Sequence, residues 1–215
     1  MKKVFFLSLI LFITGCSSSH ITSSWKNTAR QPKIYNKILV LGLIGDPDRT
    51  VREKMEQHLA GDLRALGYTA VTASQEYGPK AFEGMNEVQA VNLLAERGIE
   101  AVVTIVLLDK EKERYYAPGY IRSTPFVIYQ DRFWNYYTTM NGRIYSPGYY
   151  NTDTRYFWES NFYDLFDSKL LYSVQSQSFT PESTNSMAHE YGQMIVQDMV
   201  KNNIVRKKEQ PAKAF

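Results

Sequence analysis

The chain has 215 residues, a formal charge of +3, 44% hydrophobic and 14% aromatic residues, and one cysteine. A single thiol excludes a disulfide framework, and the absence of a basic stripe, apart from the terminal Arg206-Lys207-Lys208, gives nucleic-acid binding no support. The opening apolar stretch, Val4 to Ile13, falls far short of the roughly 20 residues that a membrane-spanning helix requires.

In chain order, the first signal is a secretory leader. Basic Lys2-Lys3, the apolar run and small residues precede Cys16, so residues 1–15 read as a signal peptide. Ile13-Thr14-Gly15-Cys16 resembles the lipobox of bacterial lipoproteins, with Ile13 where leucine is usual. That resemblance implies cleavage before Cys16, diacylglyceryl transfer to its thiol and acylation of the new amine. Two or three acyl chains, at about 0.8 kcal/mol per buried CH₂, make an anchor that hardly dissociates. The competing reading is a buried core cysteine that happens to follow an apolar leader. Ser17, in place of the Asp that retains such proteins at the inner membrane, implies outer-membrane sorting with the domain in the periplasm.

Removing the leader leaves 200 residues with a net charge near +1, enough for one domain with an ordinary core. Residues 16–33 are rich in Ser, Thr and Asn and read as a flexible tether spanning on the order of 20 to 25 Å. A single α/β domain is expected over 34–203, followed by a frayed basic tail over 204–215.

Ile38 to Leu43 is uninterruptedly apolar, as a strand covered on both faces must be. Thr50-x-x-Glu53 reads as a capping box opening a helix whose stripe is Val51, Met55, Leu59, Leu63 and Leu66, closed by Gly67. Tyr68 to Ala73 is a shorter, mixed strand. Asn86-x-x-Gln89 caps a second helix ending at Gly98, and Ala101 to Leu108 is again fully apolar. The pattern is a βαβαβ core with strand order 2-1-3 and the mixed strand at an edge. The charged run Asp109 to Arg114 is expected to close that unit as a solvated segment.

Between Tyr115 and Tyr163 lie 11 of the 16 tyrosines, together with Trp134, Trp158 and two copies of Tyr-x-Pro-Gly-Tyr, Tyr116 to Tyr120 and Tyr145 to Tyr149. Pro-Gly favours a type II turn, so each copy reads as a turn flanked by tyrosines. Phe126 to Thr139 and Arg155 to Tyr163 read as strands, the latter forming a hairpin with alternating Lys169 to Phe179. A final helix runs from near Pro181–Asn185 to about Lys201 and should pack on the sheet. The fold class is therefore α/β, its core extended by antiparallel strands into a mixed sheet with a C-terminal helix upon it.

Chemistry is sparse. Gly42-Leu43-Ile44-Gly45 has neither dinucleotide nor P-loop spacing, and Asp46 and Asp48 place negative charge where a phosphate would sit, so it reads as a tight turn with helix-capping carboxylates. The three histidines, His20, His58 and His189, lie apart without ligand spacing, and no nucleophile motif occurs; no metal, cofactor or catalytic residue is expected. Glu159, beside Trp158, is a candidate acid for glycoside chemistry if Asp153 or Asp164 faces it; a cross-strand partner for Lys or Arg is the simpler reading. The aromatic segment makes Tyr116, Tyr120, Tyr145, Tyr149, Trp134 and Trp158 candidate contacts for an envelope protein or glycan, against the alternative that they pack as core.

The lipobox, Lys37 to Gly42, Arg52-x-x-x-Glu56 before a helix ending Leu66-Gly67-Tyr68, and Glu159 to Asp164 joined to Leu171-Tyr172-Ser173 together resemble lipoproteins of the bacterial envelope. Over residues 37 to 202 the core is similar to the amino-terminal domain of the Tol-system β-propeller protein and to the periplasmic domain of the curli-secretion lipoprotein. The resemblance implies a lipid-anchored, non-enzymatic binding or assembly module. A cell-wall or glycan hydrolase, or passive glycan binding, stands as the alternative.

Overall fold

The computed structural model describes residues 18–78, 80, 82–117 and 149–208. Its strands are β1 (Ser19–Lys26), β2 (Lys37–Leu43), β3 (Thr69–Thr72), β4 (Ala101–Ala117), β5 (Tyr149–Asp164) and β6 (Lys169–Phe179). The helices are α1 (Arg49–Ala65), the short α2 (Ala73–Glu76), α3 (Glu87–Glu96) and α4 (Thr184–Lys201). The described strands form one sheet in the order β1-β6-β5-β4-β2-β3. β2 is parallel to both β3 and β4, which is the expected 2-1-3 core with the mixed strand at the edge. β5, β6 and β1 add antiparallel pairs, so the sheet is mixed as expected.

Both faces of β2 and β4 are covered, which is why their sequences do not alternate. On one face Ile38, Val40, Val103 and Ile105 pack with Met55, Leu59 and Leu63 of α1 and with Met187, Tyr191, Ile195 and Met199 of α4. On the other, Leu39 and Val102 meet Ala73, Leu94 and Ile99 around α2 and α3. The final helix therefore lies on the sheet as expected, side by side with α1.

Among the described residues, two of the four helices begin with a complete capping box. Asn86 accepts from the Gln89 amide at 2.9 Å and Gln89 accepts from the Asn86 amide at 3.0 Å, a complete capping box. Ser183 and Ser186 make the equivalent reciprocal pair at α4. The expected Thr50–Glu53 box is absent: α1 begins at Arg49 and its N-cap is Asp48, whose side chain makes no cap hydrogen bond. Glu53 instead accepts from Arg49 at 2.8 Å, one turn along the helix surface.

Two segments depart from the sequence reading. Residues 19–26, expected within a flexible tether, form edge strand β1 on β6, from Ser19 opposite Ser178 to Lys26 opposite Tyr172. The charged run Asp109 to Arg114 is solvated but remains strand, because β4 continues to Ala117 in register with β5. Its charges find partners across the ribbon and beside it: Arg155 donates to Glu113 at 3.2 Å and Lys110 to Asp48 at 2.6 Å.

Candidate functional site

The register of the central strands creates a projecting ribbon. β2 accompanies β4 only as far as Leu43 opposite Val106, and β6 accompanies β5 only as far as Phe179 opposite Arg155. Beyond those rungs β4 and β5 continue together from Lys112 opposite Thr154 to Ala117 opposite Tyr149. That is a reach of about 17 Å at 3.3 to 3.4 Å per residue. Among the described residues no third strand pairs with this part of either chain. A two-stranded ribbon is marginal in water on its own.

The ribbon carries both ends of the aromatic segment. Its last three rungs join Tyr115 to Asn151, Tyr116 to Tyr150 and Ala117 to Tyr149. Candidates Tyr116 and Tyr149 thus lie one rung apart at its end. Tyr120, Trp134 and Tyr145 lie outside the described residues, as do Cys16, both Pro-Gly turns and the Phe126–Thr139 strand reading. Trp158 is corrected: it is 0% exposed, beneath α4, stacked on Tyr156 at 5.7 Å and tilted against Tyr191. Its side chain falls on the covered face of β5, where Ser160 and Phe162 are also buried, so it is core and cannot be a contact.

The same alternation separates the carboxylates of the hydrolase alternative. Glu159 lies on the opposite face of β5 from buried Asp164, which sits against Lys33 and Tyr35. Asp153 is six residues away along the strand, roughly 20 Å, whereas retaining and inverting glycosidases hold their carboxyls about 5 to 9.5 Å apart. Among the described residues Glu159 pairs with no cation: Asn161 donates to it at 2.9 Å and Gln175 at 3.1 Å, making a polar cluster on the face away from α1 and α4.

At the carboxyl ends of β2 and β3 lies a cleft of about 270 Å³ lined by Gly42, Ile44, Arg52, Glu56, Ala73 and Ser74. Glu56, 1% exposed, accepts from the Gly42 amide at 2.8 Å and the Ser74 amide at 2.9 Å, clasping the ends of both strands to α1. Arg52 donates to the Ile44 carbonyl at 3.2 Å. Burial raises the Glu56 carboxyl above its ordinary value, against the two amides and Arg52, which pull it down. Gly42 is required because a methyl group there would lie 2.7 Å from the Arg52 side chain. The loop that the sequence spacing ruled out as a phosphate site thus meets the protein's own carboxylate. The Arg52-x-x-x-Glu56 spacing was visible in the sequence, but the clasp depends on strand ends that only the fold supplies. The expectation that Asp48 caps the helix is also corrected: its side chain turns to Lys110, whose ammonium it holds above the usual range.

Sequence reasoning kept the histidines apart, yet the fold brings two together: His58 and His189 meet across α1 and α4 at 5.6 Å. Burial raises the neighbouring Asp62 carboxyl, and the two imidazoles oppose that shift. Among the described residues no group of three His, Cys, Asp or Glu side chains is arranged to hold a metal ion. A second cleft, about 290 Å³, opens at the other end of the sheet between Lys26, Arg30, Lys33, Asn202 and Arg206. There Arg30 pairs with Asp167 and Lys33 with Asp164 at 3.2 Å. Among the described residues, no helix is long and apolar enough to cross a membrane.

No protein-family model matches the chain, and no curated protein matches it. Among solved structures it is similar to a PelC dodecamer from Paraburkholderia phytofirmans, at 12% identity and TM-score 0.44, covering 89% of this chain and 99% of that one. It is also similar to lipoprotein GNA1162 from Neisseria meningitidis, at 16% identity and TM-score 0.42, covering 77% of this chain and 99% of that one. Likeness of this degree assigns no role.

Proposed function

We propose that the chain is an exported, lipid-anchored module of the bacterial envelope, its domain in the periplasm beside the outer membrane, which binds or helps assemble an envelope partner without catalysis. The observation that carries this reading is the β4–β5 ribbon, whose outer rungs have no further strand neighbour among the described residues. Such edges accept another strand through main-chain hydrogen bonds. The leader and lipobox pattern before Cys16 supports the anchor.

The test is photo-crosslinking in intact bacteria from Lys112 and Glu113, with Lys169 at the far end of the sheet as control. A discrete adduct to an envelope protein from the ribbon, and none from Lys169, is the expected result. No adduct from any ribbon position in acylated protein overturns the binding reading. Loss of metabolic palmitate labelling in Cys16→Ser tests the anchor separately.

A further inference from the structure

The lipid reading and the fold together determine which way the domain faces. The sequence suggested a long, swinging link between Cys16 and the fold, but the structure leaves almost none. The Ser18 amide donates to Glu190 Oε2 of α4 at 3.0 Å, and the Ser18 hydroxyl donates to the same oxygen at 2.9 Å. The Phe179 amide donates to the Ser18 carbonyl at 2.8 Å, and β1 begins at the next residue. Cys16 is two residues from this clasp, and two extended residues reach at most about 7 Å.

The ribbon leaves the sheet at that same end. Ser19 faces Ser178, Phe179 faces Arg155, and Arg155 faces Glu111, so Ser18 lies level with the rung where the ribbon begins to project. From there the ribbon advances about 20 Å, farther than Cys16 is able to retreat from Ser18. The basic cleft at Lys26 and Arg206 lies at the opposite end of β1, eight residues or about 27 Å away. With acyl chains on Cys16 inserted, the last rungs arrive at the bilayer whether the ribbon points inward or lies along the surface. The headgroup layer is only about 5 to 8 Å deep on each side.

The composition of the ribbon suits that position. Glu113 and Asp153 balance Lys112 and Arg114 on its inner part, while Tyr115, Tyr116, Tyr149 and Tyr150 occupy the last three rungs. Tyrosine partitions to the membrane–water interface because it has an apolar body and a polar tip.

We propose that the end of the sheet bearing Ser18, Phe179 and the β4–β5 ribbon faces the bilayer, and that rungs Tyr115–Ala117 and Tyr149–Asn151 sit in its interface. This rests on the anchoring reading above and names the surface met by the ribbon's end, leaving the edges of its inner rungs for a protein. Since the ribbon's charges balance, association is insensitive to anionic lipid.

Full-length protein purified with its lipid tests this on vesicles of phosphatidylcholine alone and of phosphatidylethanolamine with phosphatidylglycerol. Backbone hydrogen exchange of the unmodified domain should slow several-fold at residues 113–117 and 149–153 in both vesicles, with no change at Lys26–Lys33 or Lys201–Lys208. Spin labels at Tyr115→Cys and Tyr116→Cys should show a several-fold higher oxygen-to-nickel accessibility ratio than one at Lys169→Cys. Ribbon labels as aqueous as Lys169, or protection confined to the far end, overturn the orientation while leaving an acylated anchor intact. Labels shielded from both oxygen and nickel show a protein on the last rungs and also overturn it. Mass spectrometry of the same preparation separates the two readings, because an unmodified Cys16 overturns anchoring and orientation together.

Discussion

Glu56 and Gly42 are joined by a hydrogen bond of 2.8 Å from the Gly42 amide to a carboxylate that is almost wholly buried. The bond secures α1 near the end of β2, while the other carboxylate oxygen holds Ser74. Removing this carboxylate strips two amides and leaves Arg52 without its nearby charge. Glu56→Ala is expected to cost about 3 to 5 kcal/mol, and Glu56→Gln, which turns an amide nitrogen toward one donor, about 1 to 3 kcal/mol. Urea denaturation of each variant measures both. A loss below 1 kcal/mol in Glu56→Ala would show that the clasp is dispensable.

The same residue makes stability depend on pH in an uncommon direction. Its carboxyl is raised in the fold, so as pH increases the unfolded chain gives up this proton first and the native state holds more. The stabilisation from Glu56 is complete below about pH 4 and is lost as pH rises through its raised value. The advantage of wild type over Glu56→Gln should therefore shrink between acidic and neutral pH. An advantage that grows over that range contradicts the assignment.

At the alkaline end three buried phenols act together. Tyr172 donates to Asp198 at 2.6 Å, Tyr35 donates to Asp164 at 3.4 Å, and Tyr191 shares a 2.6 Å hydrogen bond with Ser160. Burial is the largest cause raising all three; the aspartates raise Tyr172 and Tyr35 further, whereas Ser160 lowers Tyr191. Each keeps its proton in the fold after the unfolded chain has lost it, so their contribution is complete below about pH 10 and disappears above it. The urea midpoint should stay level from pH 8 to 9.5 and drop steeply beyond, with a shallower drop in Tyr172→Phe.

Gly192 offers a test in which two physical effects oppose each other. It lies inside α4, where replacement by alanine normally gains about 1 kcal/mol of helix propensity. At this crossing a methyl group would lie 2.5 Å from Asp62 Oδ2 and 3.2 Å from the Leu59 nitrogen of α1. Overpacking of that kind costs about 1 to 3 kcal/mol, so Gly192→Ala should be no more stable than wild type and up to about 2 kcal/mol less stable. A rise in melting temperature would mean that α1 and α4 separate freely.

Trp158 distinguishes core from contact among the aromatics. Trp158→Ala should cost about 3 to 5 kcal/mol through its cavity, while leaving ribbon crosslinks unchanged at temperatures where the variant stays folded. Selective loss of crosslinks in folded Trp158→Ala would return this residue to the contact surface.

The apolar strands Ile38–Leu43 and Ala101–Leu108, the Asn86 capping box and the C-terminal helix were legible because each is written in neighbouring residues. Periodicity, caps and glycine stops need no knowledge of distant partners. The order 2-1-3 followed from how apolar the strands are, since a strand buried on both faces must be central. The rest depended on pairing across long separations. Ser19 to Lys26 carries no strand signal of its own and becomes β1 because β6 offers it an edge to pair with and Glu190 accepts from Ser18. Asp109 to Arg114 remains strand because β5 lies beside it, although its charges read as loop. Strand alternation then decides that Trp158 is core while Glu159 faces away, a choice that a one-residue shift in register would reverse. The sequence by itself therefore determined the class of fold and the reading of Cys16 as an anchor. Only the tertiary structure decided how few residues separate Cys16 from the first strand and at which end of the sheet the chain enters it, because both are set by hydrogen bonds between residues more than 150 positions apart.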